Sequence, residues 1–187
     1  MTSAPAGDPR IPVNQLDLET LLPYLDLHLA GATNGVRLFE AARTSWAGTP
    51  YEKDFSRLAQ QISDERDWLK ELIKTLGHQP HLLKMAFAHL ASVVARFDPL
   101  NPARRKRTGA AQLELEALQS LLKGKEALWV TLLALAPTSA ERDAPIAPSE
   151  DVLNHTELER LLEASKDQQD TVARVMAETA AARFLRT

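Results

Sequence analysis

The chain contains no cysteine. Disulfides, thiolate metal sites and a cysteine nucleophile are therefore excluded, and the expected compartment is a reducing one, the cytoplasm. Aromatic residues are scarce, at 5%, and runs of β-branched residues are missing, so the pattern argues against strands. No uninterrupted apolar stretch approaches the roughly 20 residues that a membrane helix needs, and no membrane association is expected. The first residues, Met1 to Pro12, carry no apolar h-region and are not expected to be a signal peptide. Acidic residues number 25 against 22 basic ones, a formal net charge of -3. No global basic field exists to hold nucleic acid. A Gly-rich phosphate loop, a nucleophile elbow and a paired-carboxylate motif are all absent from the sequence.

What is present favours helix. Ala, Leu, Glu, Lys, Arg and Gln dominate, and 187 residues with 44% apolar content suffice for one domain with a real core. An irregular tail is expected over residues 1–14. A first helix is expected from Leu16 to Trp46, broken or kinked near its start by Pro23, with Leu25, Leu29, Ala32, Val36 and Phe39 as its apolar stripe. Thr49 and Pro50 have the chemistry of a cap and a first helical residue. The second helix carries Phe55, Leu58, Ile62, Leu69, Leu72 and Leu76 and ends at Gly77. A third helix is expected from Pro80, with Leu82, Leu83, Ala86, Leu90, Val93, Val94 and Phe97, stopped by the prolines at 99 and 102. The fourth runs from Ala110 to Ala136 with Leu115, Leu118, Leu122, Trp129 and Leu132 inward.

These four helices, over 15–136, are expected to form an all-α, ferritin-like up-down four-helix bundle. A Pro- and Ala-rich loop over 137–155 follows. Thr156 and Glu159 then suggest a capping box for an appended fifth helix over 156–187. Its stripe of Leu158, Leu161, Leu162, Val172, Val175 and Met176 is interrupted by the polar run Ser165 to Asp170. This helix is expected to pack on the bundle or on a partner.

Four residues occupy places where a bundle wants leucine. Glu65 fills a central slot in the alternating three- and four-residue steps of helix two, and Lys125 does the same in helix four. His89 sits centrally in the third helical stretch, and His28 lies at the edge of the first stripe. Counting from the turns puts His28, Glu65, His89 and Lys125 at similar depth. Buried charges need partners or water. A Glu65–Lys125 ion pair with the histidines hydrogen-bonded nearby is one expectation, and long side chains snorkelling to the edge of a wider seam is another.

A metal site is the sharper alternative. His28, Glu65 and His89, with Glu116, are a ligand set for iron, manganese or zinc, with Asp26, Asp64 and Glu114 as further oxygens. Against it, the Lys125 ammonium repels a cation, and no cofactor is the first expectation. The turn His78-Gln79-Pro80-His81 also holds two imidazoles, though such a turn is more often simply polar. Arg104, Arg105, Lys106 and Arg107 make a basic loop able to contact phosphate or an acidic partner. Without interleaved aromatics it is a weak nucleic-acid signal.

The segment Tyr24 to Ala32 resembles the opening helix of a bacterial family of helical-bundle proteins whose activity is uncharacterised. Asp64-Glu65-Arg66-Asp67 followed by Leu76-Gly77 is similar to that family's second helix. Lys84 with Ala86 to Leu90 resembles its third. Leu115 to Leu118, Gly124-Lys125 and Leu128-Trp129 resemble its fourth. The resemblance implies a loosely ferritin-like bundle. In ferritin-like enzymes half the ligands come from Glu-x-x-His motifs, but here Glu65 is followed three positions later by Trp68, and Glu116 by Gln119. The expected function is therefore a non-enzymatic interaction or structural protein without a complete dinuclear site, with a protein partner or a second copy of the chain. A metal-binding oxidase-like or storage protein is the alternative, and weak nucleic-acid binding through 104–107 a further one.

Overall fold

A computed structural model describes residues 16–79, 109–136 and 152–185. Within them the chain is all-helical, with four helices: α1 (Leu18–Ser45), α2 (Glu52–Thr75), α3 (Gly109–Leu135) and α4 (His155–Phe184). No helix among the described residues is long and apolar enough to cross a membrane. The tail over 1–14, the expected third helix with His89, and the basic loop Arg104 to Arg107 lie outside the described residues.

Local chemistry sets most of the helix ends. The Asp17 carboxylate caps α1 by accepting from the Thr20 amide, satisfying a donor that has no partner inside the helix. Pro23 was expected to break or kink this helix; α1 runs through it without a break. The missing N–H deprives only the Glu19 carbonyl, and both residues face solvent, where water can serve that oxygen. At the α1–α2 turn Gly48 takes φ +69, a left-handed conformation that glycine adopts without a Cβ penalty. Its N–H is accepted by the Glu52 carboxylate at 2.6 Å. Helix α2 begins two residues later than Pro50, with Tyr51 as its cap.

α2 ends in a Schellman motif. Gly77, at φ +80, donates to the Lys74 carbonyl, and His78 donates back to the Ile73 carbonyl, so two terminal carbonyls are satisfied. The cap of α4 is Asn154, whose side chain accepts from the Glu157 amide at 2.9 Å. Thr156, expected in that role, already lies inside the helix.

Apolar seams join the helices into a bundle with two core clusters. One end packs Leu21, Leu25 and Leu29 of α1 with Leu69, Leu72 and Ile73 of α2, Trp129 and Leu132 of α3, and Leu158 and Leu161 of α4. The other end packs Phe39, Phe55, Leu58, Leu115, Leu118, Leu122, Val172 and Val175. Each fully buried side chain of this size contributes about 1.5–3 kcal/mol relative to exposure. The membership of the clusters fixes direction. The start of α1, the ends of α2 and α3, and the start of α4 share one end. Neighbouring helices are thus antiparallel around the bundle, in the order α2, α1, α3, α4, while α2 and α3 are parallel across the diagonal.

The C-terminal helix, expected as an appendage, is a full wall of this bundle. It contributes to both clusters and packs against α3 as extensively as α1 packs against α2. The polar run that interrupted its stripe does not push it outside, because Ser165, Gln168 and Gln169 point inward and are themselves buried.

Candidate functional site

Between the two apolar clusters lies a polar layer. Glu65 sits on the α2 seam between Ile62 and Leu69, and its carboxylate is only 7% exposed. The seam periodicity that buries the leucines carries this side chain inward with them. From α3, the Lys125 ammonium donates to Glu65 Oε2. The same ammonium donates to Gln168 Oε1 on α4. Gln168 Nε2 closes the triangle by donating to Glu65 Oε1 at 2.8 Å, and it also reaches Gln61 Oε1 at 3.5 Å. Three helices are tied together by one buried ring of hydrogen bonds.

Burial sets the electrostatics of this ring. Desolvation pushes the Lys125 pKa below its ordinary value, against the charge and the hydrogen bond of Glu65, which hold it up. Both carboxylate oxygens of Glu65 have a donor, and Lys125 uses two of its three N–H groups. A pair satisfied in this way is a device for fixing helix register more than a source of net stability.

A cavity of about 280 Å³ adjoins the ring on the side of α1. Leu27, His28 and Gly31 of α1, Glu65 of α2, and Leu121 and Lys125 of α3 are among its walls. His28 is half-buried, packs its ring edge-on to Tyr24 with centroids 4.5 Å apart, and has its pKa pushed down by burial. Its imidazole bonds neither Glu65 nor Lys125. On the opposite side, between α2 and α4, lies a polar cleft lined by Arg57, Gln61, Asp167, Gln168, Asp170 and Thr171. Gln61 and Gln168 therefore lead from the ring to this second surface.

Three of the four residues singled out from sequence, His28, Glu65 and Lys125, meet at this cavity. His89 lies outside the described residues. Glu116 does not join them: it is exposed and accepts from Gln112 one turn away, and nine residues along α3 separate it from Lys125, about 13 Å of rise. The remaining oxygens proposed for a metal are dispersed as well. Asp64 is exposed and accepts from Gln60 at 2.8 Å. Asp26 is buried on α1 and meets His78 Nε2 at 2.9 Å. That contact also places His78, expected in a polar turn, against the side of α1. Among the described residues no group of three or more His, Asp and Glu side chains could hold a metal ion.

Sequence reasoning missed Gln168 and Gln61. The signal for Gln168 was present, because Leu158, Leu161, Ser165, Gln168, Val172 and Val175 keep the alternating three- and four-residue steps of a bundle seam. Set beside known proteins, the chain matches no protein-family model, no curated protein and no solved structure.

Proposed function

We propose that this chain is a non-catalytic helical-bundle protein of loosely ferritin-like architecture, cytoplasmic, which works through contact with a protein partner or a second copy of itself. One observation carries the reading: the Glu65–Lys125–Gln168 ring spends its charged groups on one another. A carboxylate with both oxygens occupied and an ammonium bound to it make a poor general base, and together they present no nucleophile to a substrate. Their arrangement suits a register lock between α2, α3 and α4. The absence of cysteine supports a reducing compartment.

Elemental analysis of protein purified without a metal-affinity tag tests the non-catalytic reading. The expected result is no stoichiometric metal, including after incubation with iron, manganese or zinc. About one equivalent of any of these, lost in His28→Ala, would overturn it in favour of metal chemistry at the cavity. Light scattering on the eluting protein tests the self-association arm, for which a two-fold mass is expected.

A further inference from the structure

The cavity beside the ring is larger than packing requires. Two of its walls carry glycine within a helix, Gly31 of α1 and Gly124 of α3. Glycine is a poor helix former, and neither position needs it for backbone conformation or for close approach: φ is positive at neither, and an added Cβ would meet nothing within 4 Å at either. A larger side chain at either would stabilise its helix, and at the part-buried Gly31 it would also fill space, whereas Gly124 is exposed at the rim. The sequence instead leaves the space open.

Size, lining and charge then specify an occupant. An apolar cavity of about 150 Å³ holds one benzene, so 280 Å³ holds about eleven non-hydrogen atoms on the same scale. Leu27, Leu121 and Trp129 supply apolar wall. The polar end has two unspent groups. Lys125 has a third N–H beyond those given to Glu65 and Gln168, and the His28 imidazole is hydrogen-bonded to no described residue. Of the ionised side chains of the lining, Lys125 is paired with Glu65 and Arg66 with Asp67, so what the polar end offers an occupant is two hydrogen-bond donors. The two oxygens of a carboxylate would take one each.

We propose that this cavity binds a small monocarboxylate with a compact apolar body, its carboxylate accepting from Lys125 and His28 and its hydrocarbon lying against Leu27, Leu121 and Trp129. The inference goes beyond a role in protein contacts, and it rests on the Glu65–Lys125 pair staying formed. Melting of variants in that pair reads the lock, whereas ligand titration of the unaltered protein reads the site, so the two fail separately.

Calorimetric titration of the full chain with octanoate, which has about ten non-hydrogen atoms and so fits the volume, tests the proposal. Saturable one-to-one binding is expected, with 1-octanol binding at least about tenfold more weakly because it lacks the charge. In Gly31→Leu the heat of binding should vanish while the melting temperature holds or rises. In His28→Phe octanoate should weaken and octanol should not. No saturable octanoate binding to the unaltered protein would overturn the proposal. So would equal affinity for octanol and octanoate, a comparison that needs no variant to fold, or undiminished binding by Gly31→Leu.

Discussion

Gln168 of α4 donates its amide N–H to Glu65 of α2 at 2.8 Å, across 103 residues of sequence. The contact makes the buried charge pair a three-helix device. Lys125 alone would join α2 to α3. With Gln168 accepting from Lys125 and donating to Glu65, α4 is locked at the same depth. A slip of one residue in any of these helices would rotate its polar group by about 100° out of the layer and break the ring.

Replacing Gln168 by Met, of similar length, removes an acceptor from Lys125 and a donor from Glu65. Leaving such buried groups unsatisfied costs about 1–3 kcal/mol. For a chain of this size the melting temperature should fall by roughly 2–12 °C. An unchanged melting temperature would mean that water reaches the layer and serves both groups.

Ser165 and Gln168 show why part of this site was hard to read. Glu65 and Lys125 were legible because each is a single charge set among leucines at seam spacing. The run Ser165 to Asp170 is polar throughout, so its three inward residues, Ser165, Gln168 and Gln169, were indistinguishable by type from the outward ones. Only the three- and four-residue steps singled out Ser165 and Gln168. The four described helices were legible from periodicity, and the Gly77 stop from its chemistry. The Asp26–His78 contact was not, since it joins an α1 residue to a turn 52 positions away through a packing angle that no local pattern encodes. The cap of α4 was misread by two residues because Asn154 and Thr156 are both good capping residues, and tertiary packing chooses between them.

Two glycines should respond to alanine with opposite sign, although a Cβ at either meets nothing within 4 Å. Gly31 lies within α1, so Gly31→Ala should stabilise by about 0.5–1 kcal/mol. Gly77 sits at φ +80, where an L-residue is strained, so Gly77→Ala should destabilise by roughly 1–2 kcal/mol. Urea unfolding of the two variants beside the parent checks both signs.

Burial holds the His28 pKa below 6.5 in the folded chain. The unfolded chain therefore takes up the proton first as pH falls. Its stability contribution is intact above pH 6.5 and is lost progressively below it, down through the depressed folded value. Melting of the parent and of His28→Phe between neutral pH and pH 5 should show the parent losing more stability on acidification. Equal losses would show that His28 titrates as if exposed.

The register-lock account is tested most directly by thermal or urea unfolding of Glu65→Leu, Lys125→Met and the double variant. Glu65 and Lys125 are buried together, so Glu65→Leu alone leaves an uncompensated ammonium and should cost roughly 3–5 kcal/mol. Lys125→Met should cost a similar amount. The double variant should recover much of either loss, because the isolated charge is gone and apolar contacts replace the pair. Single variants that melt like the parent, or a double variant whose loss is the sum of the two, would contradict the lock.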